Sequence, residues 1–90
     1  MPVTVVIPTI LRSYTEGQKR VFAAGATLCD VIADLDANYT GIAQRLLEDG
    51  ELRKFINIYI NDDDSRFVGG MGAILPDGVT ITILSAVAGG

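Results

Sequence analysis

The sequence contains no histidine and only one cysteine, Cys29, among its 90 residues. Without histidine, the chain cannot build a Ser-His-Asp triad, an imidazole general base or a histidine metal site. A single cysteine excludes a disulfide framework within the chain and any C-x-x-C site. One unpaired thiol is typical of a reducing compartment, so we expect a cytoplasmic protein.

Basic residues and long apolar runs are also scarce. Seven Lys and Arg stand against eleven Asp and Glu, giving a formal net charge of −4 and a pI near 4.4. Phosphate contacts dominate nucleic-acid affinity, so such a chain is a poor match for nucleic acid. No apolar run approaches the roughly 20 residues that span a bilayer, and the chain does not open like a signal peptide. We therefore expect neither a nucleic-acid partner nor a membrane partner.

The apolar pattern predicts strands before and after one main helix. Alternation and β-branched residues predict strands over residues 3–7, 19–23, 55–60 and 79–84, with a loose loop over 11–18 and a short edge strand over 66–68. Helical spacing predicts a helix over 28–38 with Thr27 as N-cap, and a second helical piece over 41–48. Turns are predicted over 48–51 and 61–64.

This order of elements, β-β-α-β-(β)-β, indicates a fold class. The helix joins strands that must share one sheet, so it packs across that sheet as a crossover. We predict an α+β protein of the β-grasp (ubiquitin-like) architecture, with a mixed sheet of four to five strands and one main helix packed across it. Residues 1–85 would form the domain, and residues 86–90 a flexible tail.

The end of the sequence is the most informative feature. After Ser85 the chain reads Ala86, Val87, Ala88, Gly89 and Gly90, so that no charged side chain follows Asp77. Glycine has no Cβ, and a diglycine end can therefore enter a tunnel too narrow for side chains. A free carboxylate is an anion at neutral pH and a poor electrophile, so acyl chemistry at Gly90 needs ATP-dependent activation. These features predict that Gly90 is a substrate of other enzymes, and no catalytic residue is expected.

Strand parity also predicts a surface for partners. Asn57 and Tyr59 point away from the helix, and Val6 and Leu84 share that parity in their own strands. An open, partly apolar sheet face is a natural docking surface. Arg66 is a further candidate, because a basic side chain can steer a partner.

Three patterns that resemble other sites are interpreted as structural. Cys29 is expected to pack beside the apolar stripe of the helix, so no reactive role is assigned to it. The aspartates over 61–64 lack the spacing of a calcium loop, and the glycines over 69–72 lack the Lys-Ser/Thr ending of a phosphate loop. We expect no metal site and no bound cofactor.

The chain resembles the MoaD/ThiS family of ubiquitin-like sulfur carriers, and in particular the members that serve cysteine synthesis. The matching segments are residues 7–12, 17–19 and 55–61, together with Asp64, Arg66, Phe67 and residues 86–90. The resemblance implies that an adenylyltransferase of the ubiquitin-activating type adenylates Gly90 with ATP, and that a sulfurtransferase step leaves a Gly90 thiocarboxylate.

The resemblance also implies which partners act next. A PLP-dependent cysteine synthase would couple the sulfur to O-phosphoserine, and a metal-dependent peptidase would release cysteine. PLP and zinc would belong to those partners. Four alternatives stay open: a MoaD-like small subunit of molybdopterin synthase, a ThiS-like carrier that supplies sulfur to the thiamine thiazole, a protein modifier conjugated through Gly90, and a binding module whose tail is inert.

Overall fold

The computed structural model describes residues 2–85, which form a five-stranded mixed sheet with a helix across one face. The strands are β1 (Pro2–Val6), β2 (Arg20–Ala24), β3 (Leu47–Glu48), β4 (Glu51–Leu52), β5 (Ile56–Ile60), β6 (Asp63–Asp64) and β7 (Thr80–Ser85). The main sheet has the order β2-β1-β7-β5-β6, while β3 and β4 form a separate hairpin. The pair β1 and β7 is parallel, and the other pairs are antiparallel. The predicted β-grasp architecture is confirmed; the predicted tail, 86–90, lies outside the described residues.

One face of the sheet forms the core. Ile56, Ile58 and Ile60 are buried, as the alternation in β5 predicts. Their neighbours on the same face are the buried residues of the other strands: Val3, Val5, Val21, Ala23, Ile81 and Ile83. Because side chains alternate across a strand, each strand contributes every second residue to this layer.

The helix α1 (Leu28–Asn38) covers that face. Thr27 caps it by accepting a hydrogen bond from the Asp30 N–H at 3.2 Å, as predicted. Leu28, Val31, Ile32 and Leu35 are its buried residues, and they follow the helical repeat. Gly25 allows the chain to enter the helix closely, since a Cβ there would lie 2.7 Å from the Val31 nitrogen. A short helix, α2 (Ile42–Leu46), follows and is shorter than the predicted 41–48.

The connection between β1 and β2 is not the predicted loose loop. Residues Thr9–Thr15 form a 3₁₀ helix in which Leu11 and Thr15 are buried. The Thr15 hydroxyl lies 2.8 Å from the Gln18 carbonyl oxygen, and the Arg12 Nε donates to the Ile7 carbonyl at 3.2 Å. The Arg12 bond holds the segment to the residue that follows β1, and the Thr15 bond closes the turn that leads to β2. The polar composition of the segment did not reveal these contacts.

The predicted edge strand over 66–68 is wrong. Ser65–Phe67 is a 3₁₀ turn, and the edge strand is β6, which lies inside the run predicted as a turn. The Asp64 carboxylate accepts a hydrogen bond from the Arg66 N–H at 2.9 Å, and this cap bends the chain out of the extended conformation. The hairpin turn at Asp49 and Gly50 lies where a turn was predicted, and both residues have positive φ.

The structure also bears on membrane insertion. Over residues 2–85, no helix combines the length and the apolar character needed to cross a bilayer.

Candidate functional site

The predicted tail, residues 86–90, follows directly after the last residue of the central strand β7. Ser85 is the last residue of β7 and pairs with Ile56 at the start of β5. Because β7 lies between β1 and β5, the chain leaves the middle of the sheet rather than an edge. Residues Ala86 to Gly90, which include the predicted modification site, lie outside the described residues.

The open face of the sheet brings four predicted docking residues together. Val6 and Tyr59 both pair with Thr82, from opposite sides of β7, and Asn57 pairs with Leu84. Residues paired across a ladder lie on the same face of a sheet. The predicted grouping of these side chains is therefore confirmed, while their contact with a partner stays a prediction.

This open face is partly apolar and accessible. Leu84 is 46% exposed, and Val6, Asn57 and Tyr59 are half-buried. Phe22 in β2 pairs with Thr4 on the same face and is 71% exposed, yet our sequence analysis did not select it. The parity of β2 contained that signal, since Val21 and Ala23 on either side of Phe22 are buried.

Arg66 holds the start of β5 in place. Its Nη1 donates to Asn57 Oδ1 at 2.7 Å, and its Nη2 donates to the Ile56 carbonyl at 2.6 Å and to the Arg53 carbonyl at 3.3 Å. The fork geometry of a guanidinium suits such multiple acceptors. Since Ile56 and Asn57 pair with Ser85 and Leu84, Arg66 supports the ladder from which the tail departs. Its predicted contact with a partner is untested.

A groove of about 440 Å³ lies beside the base of the tail. Its lining residues are Ile10, Leu11, Arg45, Glu48, Arg53, Lys54, Phe55, Ile56 and Ser85. Arg53 forms a salt bridge with Glu48 at 3.7 Å and donates from Nε to the Gln44 carbonyl at 2.9 Å. The Lys54 Nζ lies 5.5 Å from the centre of the Phe55 ring. The base of the tail is therefore flanked by cations and exposed apolar groups.

Cys29 is not the packing residue that we expected. Its thiol is exposed, because Leu28, Val31, Ile32 and Leu35 already form the face of α1 that meets the sheet. Adjacent helical positions point about 100° apart, so Cys29 turns away from that face. Cys29 does lie next to the apolar stripe in sequence, as we expected, but this position of the helix faces solvent.

The other rejected patterns lie in structural elements. Among residues 2–85, no cluster of three or more His, Cys, Asp or Glu residues could hold a metal ion. The aspartates over 61–64 form the β5–β6 hairpin, and Gly69 and Gly70 adopt positive φ values of 118° and 60°. A positive φ of this size favours glycine.

Comparison with known proteins gives consistent matches. The profile of the ThiS family matches residues 5–90. The chain is 57% identical to sulfur carrier protein CysO of Mycobacterium tuberculosis over 93 aligned residues, which cover all of both chains. The crystal structure of that CysO superposes with a TM-score of 0.92, covering 94% of this chain and 99% of the other.

Two further relatives extend the comparison. CysO in the crystal structure of the Amycolatopsis orientalis BexX/CysO complex is 53% identical, with a TM-score of 0.93 and coverage of 98% of this chain and 99% of that one. Small archaeal modifier protein 3 of Haloferax volcanii is 38% identical over 77 residues, covering 82% of this chain and 84% of the relative. The family profile, the full-length identity and the shared fold agree, and the chain belongs to the ThiS family.

Proposed function

We propose that this protein is a sulfur carrier whose Gly90 carboxylate becomes a thiocarboxylate and donates sulfur for the synthesis of cysteine. The observation that carries this proposal is the 57% identity to sulfur carrier protein CysO over the full length of both chains. The uncharged diglycine end, which follows directly from the central strand, supplies the chemical group that such a carrier needs.

The chemistry proceeds through an activated acyl group. The Gly90 carboxylate attacks the α-phosphate of ATP, which forms an acyl-adenylate and releases pyrophosphate. A sulfide-equivalent donor then displaces AMP, and the Gly90 carbonyl carbon exchanges its bond to oxygen for a bond to sulfur. Each step occurs at the carboxylate of this chain, while partner enzymes supply the catalytic groups. The protein is thus a substrate of these enzymes.

The described residues contribute position and recognition. The open face of the sheet, with Tyr59, Leu84 and Phe22, offers the surface on which a partner enzyme docks. The ladder between Ile56 and Ser85, supported by Arg66, sets the point from which the tail extends. A partner bound to the open face would therefore find Gly90 within about 17 Å of Ser85, the greatest span of five residues.

The partners proposed here are those that the resemblance to the sulfur carriers implies. The first is an adenylyltransferase of the ubiquitin-activating type that uses ATP, with a sulfurtransferase activity. The second is a PLP-dependent cysteine synthase that takes O-phosphoserine, and the third is a metal-dependent peptidase that frees the cysteine. PLP and zinc are assigned to these partners. That a relative forms a BexX/CysO complex supports a partner enzyme for this chain as well.

Intact mass spectrometry tests the proposal. The protein is incubated with ATP, the activating enzyme and a sulfur source, and then with O-phosphoserine and the cysteine synthase. We expect one oxygen to be replaced by sulfur in the first step. In the second step, that sulfur displaces the phosphate of O-phosphoserine and becomes the sulfur of a single cysteine attached to Gly90. A variant that lacks Gly90 serves as the control and should stay unchanged. Replacement of oxygen by sulfur without later addition of cysteine would favour a MoaD-like acceptor instead.

One observation favours a second candidate, a protein modifier. The 38% identity to small archaeal modifier protein 3 makes conjugation of Gly90 to lysine side chains the alternative. In that case, cell extract with ATP would yield conjugates of high mass that contain this chain joined by isopeptide bonds, and the free chain would gain no sulfur. The destination of the Gly90 acyl group separates the two functions.

A further inference from the structure

The groove beside the base of the tail must lie close to any enzyme that acts on Gly90. Gly90 is five residues beyond Ser85, and five residues span at most about 17 Å however they are folded. Ser85 itself lines the groove. When an enzyme holds Gly90 in its active site, part of its surface therefore lies within about 17 Å of the groove.

The groove carries a surplus of positive charge. Arg45, Arg53 and Lys54 line it against a single carboxylate, that of Glu48. Glu48 pairs with Arg53, so this carboxylate does not pair with the other two cations of the groove. Within residues 2–85, Arg45 and Lys54 have no ion-pair partner.

This surplus is unusual in a chain of net charge −4. The topology places the cations toward the tail end: Arg20 pairs with the last residue of β1, and Arg66 bonds to the start of β5. Asp62, Asp63 and Asp77 lie at the opposite end, beside the β5–β6 hairpin and the start of β7. The groove at the tail end is therefore basic, although it also contains the carboxylate of Glu48.

The same groove offers apolar contacts. Ile10 is 39% exposed and Phe55 is 51% exposed at its rim. An aromatic ring flanked by cations is a typical anchor in protein interfaces, where apolar contact supplies affinity and charge supplies orientation.

We infer that this groove binds an acidic segment, with at least one apolar side chain, of the enzyme that adenylates Gly90. The inference rests on the proposed function, since that function brings the enzyme to Gly90. The acidic segment pairs with Arg45 and Lys54, and its apolar side chain packs on Phe55 and Ile10. The contact is a second docking point at the base of the tail, in addition to the open face of the sheet.

Steady-state kinetics of adenylation tests the inference, with release of pyrophosphate measured against the concentration of this chain. Arg45→Glu and Lys54→Glu are compared with Lys19→Glu, which makes the same change of charge at an exposed residue outside the groove. At low salt we expect each groove variant to raise KM about three- to fivefold with kcat within about twofold, as for a rim charge that governs encounter. The Lys19→Glu variant should stay within about twofold of wild type.

Changing the salt concentration tests the electrostatic part of the contact, and an apolar substitution tests the hydrophobic part. The effect of Arg45→Glu and Lys54→Glu should shrink at high salt, because screening weakens exposed pairs. A Phe55→Ser variant should raise KM at low and high salt alike. Thermal unfolding of each variant shows whether the fold is intact.

The outcomes distinguish this inference from the proposed function. If wild type gains sulfur at Gly90 while the groove variants match Lys19→Glu in KM, the groove inference is overturned and the proposed function stands. If wild type is not adenylated at all, both are overturned. A selective and salt-sensitive rise in KM supports both.

Discussion

The two faces of the sheet are built from the same strands, yet they have opposite properties. On the helix side, Val5 and Ile58 are fully buried and Ile81 is 1% exposed. On the other side, Leu84 is 46% and Phe22 is 71% exposed. Strand alternation produces both faces, so a single stretch such as β5 contributes Ile58 to one and Tyr59 to the other.

The comparison separates stability from recognition. Burial of apolar area against α1 stabilises the fold, and the described residues leave the opposite face uncovered by any helix. A substitution on the helix side should therefore lower stability, whereas one on the open side should weaken partner binding. Variants on the two faces test whether stability and partner binding depend on different sides of the sheet.

The largest effect is expected on the buried face. The Ile58→Ala variant removes a fully buried side chain from the middle of the sheet and should lower the free energy of unfolding by about 3–4 kcal/mol. Urea denaturation followed by circular dichroism measures this change. Well below its Tm the variant should still be adenylated with a KM near that of wild type. A loss below 1 kcal/mol would show that the core is not where the structure places it.

A smaller effect in free energy, but a larger one on function, is expected on the open face. The Leu84→Asp variant should weaken binding to the activating enzyme about 10- to 100-fold, because it places a charge in a desolvated contact. Its unfolding free energy should fall by only about 1 kcal/mol, the usual range for a strand substitution.

A matched control for this variant exists outside the sheet. Ile74 is 77% exposed and bridges to Thr27 at the start of α1. The Ile74→Asp variant should bind like wild type in titration calorimetry. Equal losses in both variants would mean that exposed apolar groups act without regard to face, which contradicts the comparison.

The smallest effect is expected at Arg66, which contributes to stability and also supports the strand ladder at the base of the tail. The Arg66→Ala variant loses three hydrogen bonds on an exposed side chain and should cost about 1 kcal/mol of stability. Amide hydrogen exchange should rise more at Leu84 and Ser85 than at Val5, since Arg66 supports the ladder at the tail. If amide exchange becomes faster by the same factor at all three positions, Arg66 has only a general role in stability. The Arg66→Lys variant should restore part of the protection from exchange at Leu84 and Ser85.

Strong periodicity made much of the fold predictable. In β5 the three isoleucines occupy every second position, and in α1 the apolar residues follow the helical repeat. All of these residues are buried in the structure. The grouping of Val6, Asn57, Tyr59 and Leu84 followed from the same parity. Alternation therefore predicted both the core and the candidate docking face.

Local side-chain bonds made the rest hard to predict. The 3₁₀ helix over Thr9–Thr15 carries hydrogen bonds from the Thr15 and Arg12 side chains to carbonyl oxygens three and five residues away, which the apolar spacing does not reveal. The cap by Asp64 replaced a predicted strand with a turn. The groove beside Ser85 collects Ile10, Arg45 and Phe55 from three separate segments, so no local pattern marks it.

The location of the sulfur atom tests the central claim most directly. Cys29 carries the one thiol of the chain, and it is exposed. When the sulfur donor is itself a persulfide, its outer sulfur can pass to this thiol, which gives a Cys29 persulfide and leaves the donor as a thiol. Fragmentation mass spectrometry of the sulfurated protein, before and after a reducing agent, separates the two sites. We predict that the sulfur is on the Gly90 carbonyl carbon, that the reductant does not remove it, and that the Cys29→Ser variant gains it as wild type does. Sulfur on Cys29 that the reductant removes, with Gly90 unmodified, would contradict it.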